Sequence, residues 1–142
     1  TKLTVNISTL DSEFTGNKSA GDGFLLELIP YSPETNVFVA LEQDFGNYRA
    51  RLDYSRVGEH PSFPYNSKDF RSELTHIDSN GKANFYIFTE PTENMQLNFW
   101  IKNLSNKFHQ SSGISFPPSF GYLTVGYFDP PRTIGMDLHY KF

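Results

Sequence analysis

Thr133-Ile134-Gly135-Met136-Asp137-Leu138-His139-Tyr140-Lys141-Phe142 is the stretch that decides the fold. In an extended chain successive side chains point to opposite sides. Ile134, Met136, Leu138, Tyr140 and Phe142 therefore share one face, and Thr133, Gly135, Asp137, His139 and Lys141 share the other. One face is wholly apolar and the other polar or charged. A strand with lipid on one side and a wet lumen on the other has this pattern. Crossing a bilayer takes about 9–11 residues of tilted strand. The stretch reads as a transmembrane β-strand, with its five apolar residues toward lipid and Asp137, His139 and Lys141 toward the lumen.

The composition agrees with an all-β chain. The 142 residues suffice for at most one domain. Hydrophobic residues make up 37% and the mean hydropathy is −0.47, so no helical membrane protein is encoded. Barrel strands escape that test, because alternation hides their hydrophobicity. Aromatic content is 16%, with 14 Phe and 8 Tyr, which suits the girdles of a membrane barrel and also the core of an all-β domain. A net charge of −4 argues against a nucleic-acid partner. Without cysteine there is no disulfide framework and no zinc–thiolate site.

The same alternation recurs upstream. Leu3, Val5 and Ile7 alternate with Thr4, Asn6 and Ser8. Thr35 to Gln43 is a β-branched and aromatic run. Tyr48, Ala50, Leu52 and Tyr54 alternate with Arg49, Arg51, Asp53 and Ser55. Ala83, Phe85 and Ile87, then Met95, Leu97, Phe99 and Ile101, complete a set of about six strands with the terminal one. Two connections are tight, at Asp44–Asn47 and Glu90–Asn94, and carry Gly, Pro and Asn. Three are long: about residues 11–34, 57–82 and 103–132. Their glycines and prolines read as irregular loop. The expected fold is an antiparallel meander with short turns at one end and long loops at the other, which is how outer-membrane barrels are built.

Two local signatures carry a family resemblance. Trp100-Ile101-Lys102-Asn103-Leu104-Ser105-Asn106 runs a strand into an Asn-Leu pair. Gly126-Tyr127-Phe128-Asp129-Pro130-Pro131-Arg132 leads through Pro-Arg to a last strand ending in aromatic-x-Phe. Over residues 95–142 the chain resembles the C-terminal end of a TonB-dependent outer-membrane receptor, with Asn103, Leu104, Pro131 and Arg132 as the motif residues. Upstream the resemblance is looser, at Leu28–Glu34 and Asp53–Ser55. It implies that residues 1–142 are a C-terminal barrel segment of a 22-stranded barrel. Short turns would be periplasmic and long loops extracellular. Six strands leave two open edges, so the remaining strands and the plug would lie upstream or on another chain, since unpaired backbone cannot face lipid. No residue here matches a plug or a TonB-contacting box. The implied partners are outer-membrane lipid, the rest of the barrel, the plug, the TonB system acting through that plug, and the barrel insertase reading Phe142.

Arg49, Arg51 and Asp53 alternate on one face; they read as lumen lining, because Arg or Lys at the lipid midplane costs about 2–4 kcal/mol. Local ion pairs account for them without any ligand. Phe63, Tyr65, Phe116 and Phe120 are candidate loop contacts for a hydrophobic or cyclic substrate, and loop packing explains them equally. His60, His76, His109 and His139 lack metal-ligand spacing. No nucleophile elbow or phosphate loop is present. The expectation is therefore no catalysis, no cofactor and no metal. It is a wall-and-loop segment of a bacterial outer-membrane receptor that takes up a scarce iron chelate, cobalamin, sugar or peptide with TonB-supplied energy. Two alternatives stand beside it. One is a soluble β-sandwich for binding or adhesion. The other is a small eight-stranded outer-membrane barrel, which needs two further strands within 24–29 and 121–128.

Overall fold

The computed structural model describes residues 1–15, 19–20, 24–25, 28–64, 70–116, 118–121 and 123–142, the side chains of 19–20, 24–25, 70–71 and 118 excepted. In chain order the strands are β1 (Lys2–Thr9), β2 (Ser19–Ala20), β3 (Phe24–Leu25), β4 (Thr35–Asp44), β5 (Tyr48–Val57), β6 (His60–Pro61), β7 (His76–Ile77), β8 (Asn80–Thr92), β9 (Met95–Lys102), β10 (Gln110–Ser115), β11 (Thr124–Phe128) and β12 (Thr133–Tyr140). A short helix α1 (Phe70–Thr75) precedes β7, and a 3-10 turn covers Pro118–Phe120.

The alternating segments all join one sheet, in the order β1-β4-β5-β8-β9-β12, with every neighbouring pair antiparallel. This is the expected meander of six strands. The register sorts the side chains into two faces. One row runs Leu3, Leu41, Leu52, Phe85, Ile101 and Ile134 across all six strands. A second row joins Ala50, Ile87, Phe99 and Met136. On the opposite face Glu42, Arg51, Tyr86, Trp100 and Gly135 lie in register, as do Asp44, Arg49, Phe88, Asn98 and Asp137. A slip of one residue would exchange the two faces, so the alternation itself fixes the register.

Among the described residues nothing covers the apolar face. Leu3, Val5, Leu41, Leu52, Phe99, Met136 and Leu138 are all exposed, and Ile134 reaches 73%. Among the described residues only Ala40 and Ile77 are buried hydrophobics, so this sheet has no conventional core. From the row of Tyr48 to the row of Tyr54 the apolar face carries no charge. Six residue steps at about 3.4 Å make that band about 20 Å tall along the strand. Covering such a half-exposed side chain is worth about 1 kcal/mol. Across the face the sum is on the order of 10 kcal/mol, comparable to the whole stability of a typical domain. The first charge on that side is Arg56 at the loop end, which donates to Ser79 Oγ at 3.2 Å.

Both tight turns fall at the same end. Gly46 takes φ 85°, and its N–H donates to Asp44 Oδ1 at 2.7 Å, closing the β4–β5 turn. Thr92 pairs with Met95 across Glu93-Asn94, after a register shift that begins at Thr89. The loop end departs from expectation. The connections read as irregular contain antiparallel pairs, β2 with β3, β6 with β7 and β10 with β11, together with α1. Strand β11 pairs with β10 rather than joining the main sheet, so residues 124–128 supply no further barrel strand. Strand β8 also starts earlier than expected, with Asn80 and Gly81 already paired to Val57 and Arg56. Gly16, Gly21, Gly23, Tyr65 and Pro117 lie outside the described residues.

Candidate functional site

Strand parity places the polar candidates on one face of the sheet. Arg49, Arg51 and Asp53 from β5 share it with Asp137 and His139 from β12. Asp53, only 6% exposed, accepts from Asn84 Nδ2 at 2.9 Å and lies 3.5 Å from Arg51 Nη2. A buried carboxylate is tolerated when so paired. Arg51 is flanked by the rings of Phe38 and Tyr86 at about 6 Å, and its Nε has no hydrogen-bond partner among the described residues. Arg49 covers the Phe88 ring at 5.1 Å and lies 3.9 Å from Glu42. Each guanidinium thus has both a carboxylate and an aromatic face beside it, and the ring faces attract the cations. Asp137 Oδ2 accepts from Asn98 Nδ2 and Trp100 Nε1, both at 3.2 Å. Arg49, Phe88, Asn98, Asp137 and His139 line a recess of about 800 Å³ at the turn end, which Arg51 and Asp53 do not reach.

The polar network continues to the loop end through Asn103. Its backbone adopts φ 54°, a left-handed conformation that asparagine accepts more readily than most residues. Its N–H donates to Asn84 Oδ1 at 3.0 Å, which links it to Asp53 and Arg51. Its Nδ2 reaches the carbonyls of Lys107 at 2.9 Å and Pro130 at 3.2 Å, and its Oδ1 accepts from the Lys107 N–H. Nearby, Asn106 Oδ1 accepts from the Arg132 N–H at 2.9 Å, and Lys82 Nζ pairs with Asp129 at 2.6 Å. The two motif fragments, Asn103-Leu104 and Pro131-Arg132, thus meet at the root of one loop.

On the other face Ile134, Met136, Leu138 and Tyr140 project outward, as the alternation predicts. Phe142 follows with its ring edge-on to Tyr140 at 5.2 Å. The Lys141 N–H donates to the Asn94 carbonyl beyond the last strand pair. Phe45 and Tyr48 stack at 4.8 Å at the same end. Aromatic residues therefore edge the apolar band where the turns are.

The loop aromatics divide. Phe116 and Phe120 approach at 6.0 Å and both are exposed, while Phe63 is half-buried. Sequence reasoning missed Asn84 and Ser62, and it quoted Trp100 without foreseeing its bond to Asp137. Asn84 was legible as an inward polar residue opposite Asp53. Ser62 sits in a stretch with no periodicity and gave no signal. No group of three or more His, Asp or Glu residues that could hold a metal ion occurs among the described residues. No described helix is long and apolar enough to cross a membrane, which says nothing of crossing by strands.

No family model matches the chain, and no curated protein matches it. Solved structures do. The ferric yersiniabactin uptake receptor FyuA from Yersinia pestis superposes with a TM-score of 0.74 at 19% identity, over 99% of this chain and 21% of that one. The ferric enterobactin receptor PfeA superposes with a TM-score of 0.67 at 16% identity, over 99% of this chain and 20% of that one. The chain spans about a fifth of the length of these receptors. Its fold is that of the matching fifth of these two receptor chains.

Proposed function

We propose that this chain is part of the wall and outer loops of an outer-membrane receptor that takes up a ferric chelate. The carrying observation is the division of one uncovered sheet into an uncharged apolar face and a charged, hydrogen-bonded face. A soluble sandwich needs a second sheet over Leu52, Phe85 and Phe99, and the small strand pairs lie at the loop end instead. Lipid covers that face in this reading, and the charged face lines a lumen occupied by a plug.

Strands β1 and β12 stand at opposite edges of the sheet, and no strand among the described residues pairs with their outer sides. Backbone groups cannot remain unpaired in hydrocarbon. Further strands must therefore continue the wall on both edges. Residues 1–142 serve as a barrel segment, and the plug and its coupling to TonB lie outside them. Among iron chelates, cobalamin, sugars and peptides, the names of the two similar receptors favour a ferric chelate. The segment binds, encloses and gates, and supplies no chemistry.

Deletion of the gene tests the proposal. Under iron limitation the deleted strain should lose at least tenfold in uptake of one radiolabelled ferric chelate, restored by the intact gene. Collapse of the proton gradient should abolish uptake in the parent. Unchanged uptake across a panel of ferric chelates, or a gene product recovered from the soluble fraction, would contradict it.

A further inference from the structure

Among the described residues the most deeply buried side chains lie in the loops and not in the sheet. Thr75 is 0% exposed, Ile77 1%, Ser115 2% and Ser62 4%. Ser62 belongs to the connection between β5 and β8, Ser115 to the one between β9 and β12. Ser62 Oγ sits 2.7 Å from the Thr75 carbonyl and 2.8 Å from the Gly113 carbonyl, and accepts the Gly113 N–H at 3.1 Å. One hydroxyl proton is shared between the two carbonyls, while the lone pair satisfies the third group. The Ser62 N–H donates to the Thr75 carbonyl at 2.8 Å. Strand β10 packs against both α1 and β7. The approach is close at Gly113, where a Cβ would meet Gln110 Nε2 at 2.8 Å and Ser62 Oγ at 3.4 Å. The first long connection is tied to the same place. The Tyr31 N–H donates to the Pro61 carbonyl at 2.9 Å, and its hydroxyl bonds Ser112 Oγ at 2.6 Å.

We propose that these segments form one preassembled cap, in which residues 60–63, 70–77 and 110–115 move as a single body locked by Ser62. Buried backbone groups satisfied across two connections open together or stay shut, because exposing either leaves the other unpaired. Two adjacent loops acting as independent flaps would have no reason to bury a serine between them. The cap is independent of the transport reading, since it concerns contacts within the loops and holds whatever passes beneath them.

Hydrogen exchange on the native gene product in detergent tests it. Amides of residues 72–77 and 110–115 should be protected in the wild type. Ser62→Ala should speed exchange in both segments together by at least tenfold, with β4 and β8 unchanged, and Gly113→Val should do the same. Acceleration confined to residues 59–64, or wild-type loop amides exchanging at unprotected rates, would overturn the proposal. A second measurement needs no disruptive variant. Spin labels at the exposed positions Glu73 and Ser111 should give one narrow distance distribution. A broad or multiple distribution would overturn it equally.

Discussion

Asn103 shows what a single side chain does in this molecule. It spans an unusual backbone conformation, the end of β9 and the return toward β12, through bonds to Asn84, Lys107 and Pro130. Replacing it by alanine strands those carbonyls and places a Cβ residue with no amide in the left-handed region. Asn103→Ala should cost about 2–3 kcal/mol, read as a lower urea midpoint in detergent. Asn103→Gly, which keeps the backbone conformation, should cost less. Gly135 is the second such position. A Cβ there would run into the Trp100 indole, which lies flat across the glycine from the neighbouring strand. Gly135→Val should displace that ring and break its bond to Asp137, at about 1–3 kcal/mol for the overpacking. Quenching or a shift of the fluorescence of the chain's single Trp checks the displacement.

At the scale of elements, the six long strands were readable because their order comes from local alternation. Each of Leu3-Val5-Ile7, Leu97-Phe99-Ile101 and Ile134-Met136-Leu138 needs no distant partner to declare its face. The loop hairpins were not readable. Two-residue strands such as His60–Pro61 and His76–Ile77 exist because Ser62 and Thr75 bring them together, and that contact has no sequence period. The clamp at Asn103 was legible only through the family resemblance; composition and spacing alone do not pair Asn103 with Pro130. The two faces of β9 and β12 differ in what they should tolerate. Met136→Arg, near the middle of the uncovered face, should cost about 2–4 kcal/mol in a bilayer and lower the yield of folded protein. Gln96→Arg, on the opposite face beside Glu90, should be nearly neutral. Urea unfolding in liposomes, with equal costs for the two, would remove the distinction.

At the scale of the whole molecule, the described residues give the main sheet no apolar core beyond Ala40. Small domains are held by buried apolar area, and here that area is turned outward. In the proposed reading, lipid on one side and a filled lumen on the other would supply what a second sheet supplies in a sandwich. The likeness to about a fifth of two receptor chains is consistent with a sheet that is stable as part of a larger wall. The most direct test is a nitroxide scan of β12 in the native protein reconstituted in bilayers, one label at a time from residue 133 to 140. The absence of cysteine from this chain leaves each introduced label unambiguous within it. Oxygen accessibility should peak at 134, 136, 138 and 140, and a water-soluble nickel complex should reach 133, 137 and 139 preferentially. Equal access of the nickel complex to both sets would contradict the assignment of the apolar face to lipid.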